Sequence, residues 1–157
     1  MTWSSLSEGL DHIVESGISP NIASFVGATT IRIHELGFDN REATSDEMAA
    51  MKQEVARAME EGAMGLSTSL IYPPAFYAPT SELIELARVA GAYGGMYISH
   101  MRSEGAGIEA AVDELIKVSR EANIPAEIYH FKFAGQSNWG KYQIIIDKIE
   151  AARGEGQ

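Results

Sequence analysis

The sequence predicts an α/β fold on a parallel sheet, and three observations carry that prediction. Apolar runs of strand length alternate with amphipathic runs of helix length along all 157 residues. The alternation repeats at about 30 residues, the length of a right-handed strand–helix–strand unit. The strands are short and bounded by glycine, with no low-complexity linker between elements.

Leu6, Leu10, Ile13 and Val14 form one face of a first helix, which Gly17 ends as a C-cap. Residues 21–27 follow Pro20 and read as a first strand, and Ile31-Arg32-Ile33 reads as a further extended segment. Thr44-Ser45-Asp46-Glu47 is a capping box, in which hydroxyl and carboxylate each satisfy a free backbone N–H. It opens a helix whose apolar positions are Met48, Met51, Val55 and Met59, core residues rather than a metal-binding run. Gly62 closes that helix, and residues 65–71 are the second strand. Thr80 caps the next helix, with Leu83, Ile84, Ala87 and Ala90 as its stripe, broken by Gly94-Gly95. Residues 96–99 are the third strand, 107–122 a helix and 125–129 the fourth strand. A last helix, 142–153, turns Ile145, Ile146 and Ile149 inward.

Gly91, Gly94 and Gly95 precede a strand instead of opening a helix, so they make no dinucleotide phosphate loop. The alternation alone does not separate a doubly wound sheet from a barrel. A complete (β/α)8 barrel takes about 250 residues, so four strands would be part, about half, of one. Residues 1–157 then read as a single partial barrel domain with no second domain.

Twelve Lys+Arg against 22 Asp+Glu leave a net charge of -10, which repels nucleic acid and anionic membrane surfaces. No stretch reaches the roughly 20 apolar residues of a membrane span, and no basic-then-apolar leader is visible, which favours a cytoplasmic location. The absence of cysteine removes disulfides and thiolate chemistry from this chain.

His100 and His130 each stand where a strand passes into the loop before a helix, 30 residues apart. Ligands collect at the carboxyl ends of strands in parallel α/β folds. Two imidazoles in matched positions either share a metal such as zinc or each cap their own strand. The His100 loop adds Arg102, Ser103 and Glu104; Lys132 shares a side with His130 and suits a carboxylate or a developing negative charge. Tyr72, held by Pro73-Pro74, either donates into the same mouth or packs, and Phe76 and Tyr77 make its loop apolar. His12 belongs to a helix face, and His34 has a lesser claim on the site.

Gly62-Ala63-Met64-Gly65-Leu66-Ser67-Thr68-Ser69-Leu70-Ile71-Tyr72-Pro73-Pro74 and Gly94-Gly95-Met96-Tyr97-Ile98-Ser99-His100-Met101-Arg102-Ser103-Glu104 resemble the D-aminoacylase (N-acyl-D-amino-acid deacylase) family. Glu127-Ile128-Tyr129-His130-Phe131-Lys132 and Asn138-Trp139-Gly140-Lys141 continue the match in order. The resemblance implies a metal-dependent (β/α)8 barrel of the amidohydrolase superfamily. It implies that His100 and His130 ligate a tightly held zinc ion, with a second, weaker site allowed. It implies that Tyr72 and Lys132 recognise the substrate carboxylate, while Arg102 and Glu104 order their loop. The expected reaction is hydrolysis of the amide of N-acyl-D-amino acids to a carboxylate and a D-amino acid.

The family's His-x-His pair and cysteine ligand do not occur here, nor does the aspartate of its last strand, so the catalytic acid/base is expected outside this chain. The expectation is an internal fragment of such an enzyme. The alternatives are a non-catalytic half barrel that binds metal or partners and pairs as a homodimer, and a cyclic amidase of the dihydroorotase type.

Overall fold

Where the sequence places a capping box, the Thr44 hydroxyl accepts from the Glu47 backbone and the Glu47 carboxylate from the Thr44 backbone. In the computed structural model, which describes residues 3–157, this box opens α3 (Ser45–Glu60). The chain order is α1 (Leu6–Glu15), β1 (Val26–Gly27), α2 (Ala28–Leu36), α3, β2 (Gly65–Ser69), α4 (Thr80–Ala92), β3 (Met96–His100), α5 (Ile108–Ala122), β4 (Ala126–Ile128) and α6 (Tyr142–Gly154). Short 3-10 segments, Ala75–Tyr77 of one turn and Gln136–Lys141 of two, lead into α4 and α6.

The main departure from expectation is α2. The segment around Ile31–Ile33 is helical, although Thr29, Thr30, Ile31 and Ile33 are β-branched and lose side-chain freedom in a helix. Burial decides it: Ala28, Ile31 and Leu36 enter the core, and the Arg32 guanidinium meets Glu82 of α4 at 2.5 Å with both side chains buried. The first strand is correspondingly short, with only Val26 and Gly27 pairing to β2. Pro79, not Thr80, stands at the N-cap of α4; the Thr80 hydroxyl instead donates to Glu114 at 2.7 Å. Gly17, at φ 80°, follows α1 as expected, but α1 buries none of its residues.

All four strands are parallel, in the order β1-β2-β3-β4. The order runs without reversal through these four strands, the arrangement expected of a stretch of singly wound, barrel-type sheet. The alternation of burial along β2 and β3 is consistent with that. Leu66, Tyr97 and Ser99 are buried toward the helices, whereas Ser67, Ser69, Ile98 and His100 line an open cleft of about 550 Å³ that the buried Thr68 also borders. The core therefore lies on one side of the sheet. Met51, Val55, Leu66, Leu86, Ile108, Val112 and Val118 fill it, with Met59 beside them. Gly65 is required where β2 meets β3: its φ is 151°, and a Cβ there would stand 1.9 Å from the Met96 carbonyl oxygen.

Candidate metal centre

The pleat of β3 turns Tyr97 and Ser99 to the helices and leaves His100, its last residue, at the mouth of the cleft. On the next strand, β4 ends at Ile128, and His130 follows two residues later at φ 42°. A non-glycine residue in the left-handed region is uncommon and is often found at functional sites. The turn brings the two imidazoles edge to face, with ring centroids 4.3 Å apart. The Tyr72 ring lies 5.5 Å from that of His100, edge to face, and the Tyr129 ring 4.3 Å from that of His130.

The Glu104 side chain, only 11% exposed, brings its carboxylate to the centre of this group. Its Oε1 lies 3.1 Å from His130 Nδ1, 2.5 Å from Lys132 Nζ and 3.5 Å from His100 Nε2. Lys132 Nζ is also 2.9 Å from His130 Nδ1. One donor atom from each of His100, Glu104 and His130 fits within a mutual span of 4.8 Å.

Burial lowers the His100 pKa, opposed by the Glu104 carboxylate and assisted by the neighbouring His130 and Lys132. The neutral ring so favoured is the form that offers a lone pair to a metal. Its Nε2 is buried and makes no hydrogen bond, a condition native proteins seldom leave without a ligand or another reason. Two imidazole nitrogens and a carboxylate oxygen are donors suited to a zinc-type divalent cation. The residues present fit such an ion.

Of the residues singled out in the sequence, Tyr72, His100, His130 and Lys132 gather at this mouth, and Tyr72 is 59% exposed toward the cleft. His34 does not join them: its side chain is 74% exposed and bonds Glu35. His12 stacks on Trp3 along α1. Glu104 was expected only to order its loop, yet it sits between both histidines and the lysine. Its sequence signal is slight, a carboxylate four residues after His100 in the same strand-to-helix loop.

No family model matches the chain. D-aminoacylase from Alcaligenes xylosoxydans xylosoxydans is 41% identical over 143 residues, covering 91% of this chain and 30% of that protein. A solved D-aminoacylase structure, described for its binuclear metal centre, superposes with a TM-score of 0.91 at 36% identity, covering 97% of this chain and 32% of that one. N-acyl-D-glutamate deacylase from Bordetella bronchiseptica, solved with zinc and a phosphonate inhibitor, superposes at 0.94 with 30% identity, covering 98% and 32%. The chain thus spans about a third of the length of these relatives. Its resemblance to the D-aminoacylase family extends over nearly all of its residues, and its fold is part of their metal-dependent α/β barrel.

Proposed function

We propose that this chain supplies part of the active site of a zinc-dependent hydrolase that cleaves the amide of N-acyl-D-amino acids, releasing a carboxylate and a D-amino acid. The observation that carries the reading is the convergence of His100, His130 and Glu104 from two successive strand ends around an unpartnered, buried Nε2. The relatives' names, D-aminoacylase and N-acyl-D-glutamate deacylase, support the substrate class. In this reading residues 1–157 form one partial (β/α)8 domain. The setting is cytoplasmic and the partner a small molecule, the charge of -10 disfavouring nucleic acid. Among the described residues no helix is long and apolar enough to cross a membrane.

His100 and His130 hold the tightly bound ion, with Glu104 beside them as a third donor, and a second, weaker ion is compatible with the binuclear centre described for D-aminoacylase. A bound zinc ion supplies Lewis-acid polarisation of an amide carbonyl and acidification of a water molecule. The chain's own residues orient the substrate. Lys132 offers an ammonium on the rim, and Tyr72 a phenol on the wall beside His100, for the α-carboxylate. Two fixed grips on the carboxylate, with the amide held at the centre, distinguish D from L because the side chain then faces one direction only. No residue of this chain is assigned the proton transfer; an aspartate elsewhere in the enzyme takes that role.

The test uses protein expressed from its complete reading frame, loaded with zinc and given N-acetyl-D- and N-acetyl-L-amino acids. The expected result is D-selective amine release. Lys132→Ala is expected to raise KM about tenfold or more with zinc content unchanged, and His130→Ala to abolish both zinc binding and the zinc-induced rise in Tm. Hydrolysis of cyclic amides only, or zinc binding without any amide hydrolysis, overturns the reading.

A further inference from the structure

Arg102 follows His100 by two residues but turns away from the centre. Its Nε and Nη2 donate to the two Glu114 carboxylate oxygens, each at 2.9 Å. Nη2 also donates to the Ala78 carbonyl at 2.9 Å, and Nη1 to the Phe76 carbonyl at 2.6 Å. The guanidinium lies 5.6 Å from the Phe76 ring centroid. Glu114, on α5, is itself fixed by the Thr80 hydroxyl at 2.7 Å. The two carbonyls Arg102 grips belong to the loop between β2 and α4, the segment that carries Tyr72. Within that loop the Phe76 N–H donates to the Tyr72 carbonyl at 2.9 Å and the Tyr77 N–H to the Pro74 carbonyl at 3.0 Å.

We infer that Arg102, braced by Glu114, is a positioning residue that sets where Tyr72 stands relative to His100, and through it the fit of the substrate carboxylate. The inference rests on the role proposed for Tyr72. Its physical basis is geometric. One rigid, planar cation joins the loop after β3, which holds His100, to α5 and to the loop after β2, which holds Tyr72. It does so with four hydrogen bonds in fixed directions. A lysine keeps the charge but not the fork, so it cannot hold Glu114 and both carbonyls at once. The cleft wall then loosens without any loss of a group that touches substrate or metal.

The experiment is a double-mutant cycle in the zinc-loaded enzyme from the complete reading frame, using Arg102→Lys and Tyr72→Phe. Arg102→Lys is expected to raise KM for N-acyl-D-amino acids about tenfold, the factor carried by a charge-assisted hydrogen bond, with kcat changed less than about threefold. In the Tyr72→Phe background the same change is expected to raise KM by no more than about twofold. Zinc content stays constant in all four proteins. Amide exchange supplies a readout independent of activity: Arg102→Lys is expected to speed exchange at Phe76 and Tyr77 but not in α5. An equal KM factor in both backgrounds, or unaltered exchange at Phe76 and Tyr77, overturns the inference and leaves the hydrolase reading standing. If Tyr72→Phe alone leaves KM unchanged, the proposed carboxylate grip has failed, and the inference falls with it.

Discussion

Replacing Glu82 with leucine isolates the charge that holds α2 against α4. Arg32 is 1% exposed and Glu82 3%, so neither charge regains water when its partner is lost. In Glu82→Leu the guanidinium keeps one acceptor, the Arg41 carbonyl at 2.5 Å, and has lost its only carboxylate; its Nε already lacks a partner. Breaking a buried pair by removing one member costs about 3–5 kcal/mol, because the survivor is left charged and desolvated. Against the roughly 5–15 kcal/mol of an ordinary domain that is a large fraction. The double variant Arg32→Met with Glu82→Leu removes both charges and the orphaned Nε together. It is expected to recover most of the loss, ending within about 1 kcal/mol of the starting protein or above it. Urea unfolding followed by circular dichroism measures all four corners of the cycle, with equal m-values as the control. A cost under about 1 kcal/mol for Glu82→Leu, or a double variant as weak as the single, would refute the assignment of α2's helical state to this pair.

Two further outcomes follow from the fold. Gly65→Ala places a methyl group 1.9 Å from the Met96 carbonyl at a φ of 151°, so β2 and β3 must part; a loss above about 3 kcal/mol is expected, and a protein of unchanged Tm would contradict the register. The Glu47 carboxyl is held down to about 2, below its ordinary 4.5, by hydrogen bonds from Arg41 and from the Thr44 backbone. A depressed carboxyl stabilises the fold above pH 4.5 and loses that contribution as the pH falls toward 2. Glu47→Gln should therefore flatten the acid limb of a stability–pH curve over that window, and an acid limb parallel to the parent's counts against the box.

Much of the architecture was legible because it is written in local chemistry. The capping box at Thr44, the glycines closing helices and the apolar strand before His100 each state their structure within a few residues. The helix over Ala28–Leu36 was not, since its partner in the buried ion pair lies 50 residues further along the chain. At the site, His100 and His130 were visible from matched spacing, and Tyr72 and Lys132 from their neighbours. The central place of Glu104 was hidden because it depends on the left-handed turn at His130, which no residue type announces. The Arg102–Glu114 contact was hidden for a different reason, since the two residues meet only once the loop after β3 is packed on α5.

The one-sided core gives these strands a division of labour that selection can use. Leu66, Tyr97 and Ser99 answer to the helices, while Ser67, Ser69, Ile98 and Tyr129 answer to whatever enters the cleft. Neighbouring codons are thus under different masters. Changes at the second set alter the shape and polarity offered to a ligand without opening a void in the packed layer, where lost volume costs most. New ligand preferences are accordingly within reach of single substitutions, and a library confined to those four positions would explore them while the scaffold stayed intact.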